Sequence, residues 1–173
     1  SSAAATKTET VYVNLSANGM VKKVNVTDHI HTEFPQVRVE DASTLHDIQD
    51  VKTFLEPVIG IDRIYWDMES TDLFYQGISD EDPPVAFTIH YMLDGQTISP
   101  EQLVGQSGKV TIEINAHNQL IRDVDGYSIS CPMLFVGGMI LPEEHFSDVS
   151  VSSGAVLGDG AQRVVLLAGV PGM

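Results

Sequence analysis

His29 and His31, two residues apart in the segment VTDHIHTE, are the first side chains in this sequence whose type and spacing suggest chemistry. On an extended strand, residues i and i+2 face the same way, so the two imidazoles could share a zinc ion, with Asp28 or Glu33 adding a carboxylate. No third ligand stands at a recognisable metal spacing, and a solvated pair on an edge strand is the simpler reading. Asp123 and Asp125 in DVDG suggest a calcium loop, but an EF-hand frame would put Ile121 at the first ligand position and Pro132 at the bidentate glutamate position. The frame therefore fails. These aspartates, like Asp80-Glu81-Asp82 before Pro83, read as polar turns, with a weak calcium site built from acidic loops as the alternative.

Nucleophile motifs fare no better. Gly105-Gln106-Ser107-Gly108-Lys109 lacks the Walker glycine, since Leu103 stands in its place, and Val110 replaces the Ser or Thr after the lysine. Ser107 lacks the final glycine of a nucleophile elbow, because Lys109 occupies it. His46, His90, His117 and His145 fall in separate segments, with no serine or cysteine locally paired to any of them. No enzyme is expected. Tyr65, Trp66, Phe74 and Tyr75 group aromatic rings that could form a ligand-binding platform for sugar or protein, and the competing reading places them in the core.

Composition narrows the partners. With 43% hydrophobic residues in 173, the chain can bury a core as one domain or two small lobes. Its 24 acidic and 9 basic residues give a net charge of −15, which repels nucleic acid and anionic bilayers and favours cations, basic proteins or positively charged wall polymers. The single cysteine, Cys131, rules out a disulfide framework and behaves as a small hydrophobe in SISCPMLFV. Residues 1–8 read as a flexible leader left after a signal peptide, and 9–173 as the folded domain, with a second lobe starting near 118. The longest apolar run, Met133 to Leu141, is half of the roughly 20 residues a spanning helix needs. A strand pattern at the very end, VVLLAGVPGM, implies that more protein follows.

The elements that must position these residues are mostly short strands. TVYVNLS and MVKKVNVT alternate about the turn Ala17-Asn18-Gly19 and predict a hairpin. Asp28 to Glu40, around Pro35, reads as an edge strand or extended loop. Ser43 to Glu56 has helical spacing at Leu45, Ile48, Val51, Phe54 and Leu55 but fits a short strand and turn equally. Further strands are expected at Ile61 to Asp67, Leu73 to Gln76, Pro84 to Leu93, Lys109 to His117, within Tyr127 to Leu141, at Ser147 to Ser152 and at Arg163 to Ala168. Ser99-Pro100-Glu101-Gln102 carries a capping box for one helical turn. About ten strands without crossover helices predict an antiparallel β-sandwich, immunoglobulin-like or related.

Several stretches, TVYVNLSANGMVKKVNVTD, LFYQGISDEDPPV, YMLDGQTISPEQLVGQSGKVTI and FSDVSVSSGAVLGDGAQRVVLLAGVPG, resemble the N-terminal extracytoplasmic region of largely uncharacterised Gram-positive envelope proteins grouped with the YhgE/Pip membrane proteins. The resemblance runs from Glu9 to Met173 and departs from the family wording at Asp50 to Ile64. It implies an extracellular, cell-surface β-rich head, anchored in the membrane by other parts of the protein. The leading expectation is a non-catalytic interaction or structural module whose partner is a protein or cell-wall component. The resemblance supplies no reaction and carries over no functional residue, relatives resembling phage-adsorption factors or parts of secretion apparatus; no cofactor is expected beyond the calcium or zinc alternatives above.

Overall fold

Alternation along β2 sets the architecture. In the computed structural model, residues 4–119, 121–130 and 133–170 are described. Cys131 and Pro132 lie outside them. The order is β1 (Ala5–Leu15), β2 (Val21–Thr32), β3 (Arg38–Asp41), β4 (His46–Asp50), β5 (Val58–Ile59), β6 (Ile64–Asp67), β7 (Asp72–Ile78), β8 (Val85–Leu93), β9 (Gln96–Ile98), the helical turn α1 (Pro100–Leu103), β10 (Val110–Asn118), β11 (Ile121–Val124), β12 (Tyr127–Ser130), β13 (Phe135–Pro142), β14 (Ala155–Gly158) and β15 (Gln162–Gly169). Ser99 caps α1 and completes the expected capping box with Gln102.

Two compact units divide the chain, one ending at Ala116 and the other beginning at His117. The first contains a four-stranded antiparallel sheet in the order β1-β2-β7-β4, a three-stranded sheet β3-β6-β5, and a sheet β10-β8-β9. Val24, Val26, Asp28, Ile30 and Thr32 of β2 are buried on one face of the four-stranded sheet. Ile30, Leu73 and Tyr75 of that sheet meet Val39, Ile64 and Trp66 of the β3-β6-β5 sheet, with Met68 beside them, in one core. This is a sandwich-like arrangement of two antiparallel sheets closed by apolar side chains. The second unit contains the hairpin β11-β12 and the sheet β13-β15-β14. Asp125 and Gly126 turn that hairpin with φ of 52° and 82°, the mirror-image geometry that a two-residue connection favours.

Two stretches differ from the sequence reading, and a third, left open between helix and strand, forms the strand and turn. Ala5 to Thr8, read as leader, pair with Thr32 to His29, so β1 is longer than its apolar alternation. Ser43 to Glu56 resolves into β4 and a loop: Leu45, Ile48 and Leu55 pack on the core, whereas Val51 and Phe54 are exposed. Ser147 to Ser152 forms no strand, and Asp148 there has φ of 54°, which breaks an extended run.

Gly77 in β7 allows a close approach that β4 depends on. A Cβ built there would stand 2.8 Å from the Leu45 Cβ and 3.2 Å from the His46 carbonyl oxygen. Gly77→Ala is therefore expected to force β4 away and destabilise the fold by about 1–3 kcal/mol, as read by urea denaturation.

Candidate functional site

Strand parity gives the four-stranded sheet two faces of different chemistry. The outer face bears Lys23, Asn25, Thr27, His29 and His31 of β2, with Asp72, Phe74, Gln76 and Ile78 of β7 alongside. Tyr12 and Asn14 of β1 and Asp47 and Gln49 of β4 extend it, and together the lower half forms an open groove of about 680 Å³. Among the described residues, the side chains of Asn25, Thr27, Gln49 and Gln76 in this groove make no hydrogen bond to the rest of the protein. Their donors and acceptors are available to a bound molecule. Tyr12 offers an aromatic ring at 56% exposure beside them.

At the upper end of the same face, Asp72 comes between the two histidines. His29 Nε2 lies 2.8 Å and His31 Nδ1 2.9 Å from the same Asp72 Oδ1. The His29 ring stacks on Phe74 with centroids 4.2 Å apart, and the Lys52 ammonium sits 4.2 Å over the Phe74 ring. His29 and His31 do share a face, as their spacing requires. The expected carboxylate partners are corrected: Asp28 points into the opposite face because it is one residue out of phase with His29, and Glu33 lies exposed past the end of β2. Among the described residues, no three His, Cys, Asp or Glu side chains stand as an open metal-binding group.

Hydrogen bonds from His29, and then from His31, hold the Asp72 carboxyl down at about 2. Its unfolded value is about 3.9, so its contribution to stability is present above that value and is lost as pH falls through about 2. A carboxyl-detected NMR titration is expected to give a midpoint of about 2 for Asp72. In the variant with both His29→Ala and His31→Ala the midpoint should return towards about 3.9. An unchanged midpoint in that variant would refute the assignment.

The other sequence candidates separate. Trp66 and Tyr75 are 1% and 0% exposed, stacked on each other with centroids 5.0 Å apart, so they build the core and present no binding surface. Tyr65 and Phe74 are half-buried on different sheets, and no four-ring platform exists. Asp123 falls on β11 and Asp125 is exposed in the turn that follows. His46 sits between Asp47 and Asp80 at 3.0 Å from each, which raises its pKa, Asp80 contributing most. His145 faces Glu144.

A charged cluster on the inner face went unrecognised in the sequence. Lys7 Nζ lies 3.2 Å from Asp28 Oδ2 and donates to both oxygens of Asp41 at 3.0 and 3.1 Å. The Tyr75 hydroxyl donates to Asp41 Oδ2 at 2.5 Å. Glu9, directly opposite Asp28 across β1 and β2, completes the group. Asp28 is fully buried, and beyond the ion-pair distance to Lys7 neither of its carboxylate oxygens accepts an aligned hydrogen bond. Burial and the nearby Asp28 raise the Glu9 pKa; burial, Asp28 and Asp41 raise that of the Tyr75 hydroxyl. Burial opposes the charge on Lys7, but Asp41 and Asp28 outweigh it and raise its pKa. The signal was parity: Asp28 interrupts the apolar row Val24, Val26, Ile30, and Lys7 and Glu9 continue the row of Val11 and Val13.

Fold and faces together define a mainly antiparallel β protein of sandwich type, with a polar, grooved outer face and an ionic cluster inside. No family model, no curated protein and no solved structure matches the chain. Among the described residues, no helix is long and apolar enough to cross a membrane.

Proposed function

We propose that this chain is a non-catalytic interaction module, working at the cell surface as the extracellular part of a membrane-anchored envelope protein of a Gram-positive bacterium. The observation that carries this reading is the outer face of the four-stranded sheet, where the hydrogen-bonding groups of Asn25, Thr27, Gln49 and Gln76 are uncommitted. A rigid sheet holds these side chains at fixed spacing, as a contact surface requires.

A second reading, carbohydrate binding, is favoured by the groove itself. Amide side chains beside an exposed tyrosine suit a hydroxyl-rich chain, because each amide both donates and accepts and the ring packs on the apolar face of a sugar. Cosedimentation with purified Gram-positive cell walls tests both readings. The wild-type domain is expected to be retained, and the variant with Asn25→Ala and Gln76→Ala to bind about tenfold more weakly, corresponding to about 1.4 kcal/mol. Competition by soluble glycan fragments would select the carbohydrate reading. Equal retention of wild type and variant would remove the groove from the account.

A further inference from the structure

The geometry points to an intramolecular amide bond between Lys7 Nζ and the Asp41 side-chain carbonyl carbon, formed within the folded chain with Asp28 as proton carrier. The inference rests on the inner cluster and stands apart from whatever the outer face binds. Three observations converge on it. Lys7 Nζ is in contact with both oxygens of Asp41, at 3.0 and 3.1 Å, so amine and carboxyl are already held together by two packed sheets. Such positioning converts a bimolecular condensation into a unimolecular one. Tyr75 donates its hydroxyl to Asp41 Oδ2, where negative charge grows as the carbonyl carbon becomes tetrahedral. Asp28, fully buried and without an aligned hydrogen bond, lies 3.2 Å from the same Nζ, within reach to take a proton.

The step balances without an outside reagent. The Lys7 ammonium passes one proton to the Asp28 carboxylate and becomes a free amine. The amine attacks Asp41 Cγ, forming the C–N bond. The nitrogen then gives up a second proton, Asp28 returns the first, and both join one Asp41 oxygen, which leaves as water while the C–O bond breaks. An ammonium and a carboxylate have become a neutral amide, and Asp28 ends as the carboxylate it began. The low exposure of the Asp41 side chain, 12%, favours this loss of opposite charges although Lys7 is 34% exposed, because a neutral amide is cheaper to hold away from water than an ion pair.

Intact-mass spectrometry of the denatured 173-residue chain, purified after folding, reads the outcome directly. The wild type is expected to be lighter than its sequence by one water molecule. After trypsin, residues 1–22 should be found joined to residues 39–52, with the link fragmenting to Lys7 and Asp41. Lys7→Arg and Asp41→Ala should restore the full mass, as should Asp28→Asn, with near-UV circular dichroism verifying that the last remains folded. A wild-type chain of full mass overturns the proposal, and this result depends on no variant folding. A missing water traced to an aspartate-glycine succinimide and reversed by hydroxylamine overturns it equally. Loss of water persisting in a folded Asp28→Asn chain overturns the proton-carrier role.

Discussion

Replacing Trp66 with alanine is expected to cost the folded state about 3–5 kcal/mol, one of the two largest single-site effects in this chain. The first unit has one compact core, and Trp66 is at its centre, 1% exposed and shared between Tyr75 of one sheet and Val39 and Ile64 of the other. Its removal leaves a cavity that two hydrogen-bonded sheets cannot close without losing register. Set against a typical domain stability of about 5–15 kcal/mol, the loss brings the variant close to unfolding at growth temperature. Urea denaturation followed by far-UV circular dichroism is the measurement, since the variant lacks the only tryptophan. Trp66→Phe should be much milder, because the indole Nε1 has no hydrogen-bond partner to lose and a benzyl ring fills most of the volume. Equal losses for the two variants would contradict a packing explanation.

The burial of Trp66 also marks what the sequence could and could not convey. Alternation at TVYVNLS, MVKKVNVT, PVAFTIHYML and KVTIEINAH located β1, β2, β8 and β10, because a half-buried strand writes its face into every second residue. The capping box at Ser99 and Gln102 located α1 for a similarly local reason. Short strands paired by neighbours of mixed polarity were harder to find. β4 reads HDIQD, with Asp47 at φ of 52° and a shift in its pairing to β7, so it has no two-residue period to detect. The spacing of His29 and His31 correctly placed them on one face. Their carboxylate partner could not be inferred, because Asp72 is 41 residues from His31 and reaches it only through the β2-β7 register. The groove is of the same kind, assembled from four strands whose side chains look like ordinary solvated polar residues one strand at a time. The core assignment of Trp66 and Tyr75 was open in the sequence because aromatic side chains serve cores and binding platforms alike.

The second large effect concerns charge rather than volume. Lys7→Met is expected to destabilise the fold by about 3–5 kcal/mol, even though Lys7 lies at the edge strand and in a segment that reads as leader. Its nitrogen is the group that faces Asp28, whose side chain is 1% exposed, and methionine leaves that buried carboxylate with Glu9 and Asp41 as its charged neighbours. These expectations are for the nitrogen as an ammonium; with the amide proposed above, the single and the double Lys7 variants would both lose the covalent link to Asp41 in addition. Removing both members should cost far less than removing one. Lys7→Met combined with Asp28→Leu replaces the buried ionic contact by apolar packing continuous with Val26 and Ile30, and such replacements are often neutral. Thermal and urea unfolding of the two single variants and the double variant give the coupling directly. A double variant as unstable as the sum of the singles would mean that Asp28 is not held by Lys7. Recovery in the double variant would show that Lys7 is kept on β1 by the carboxylate beneath it, with the side effect that an inward-pointing charge discourages the edge of β1 from pairing with other strands.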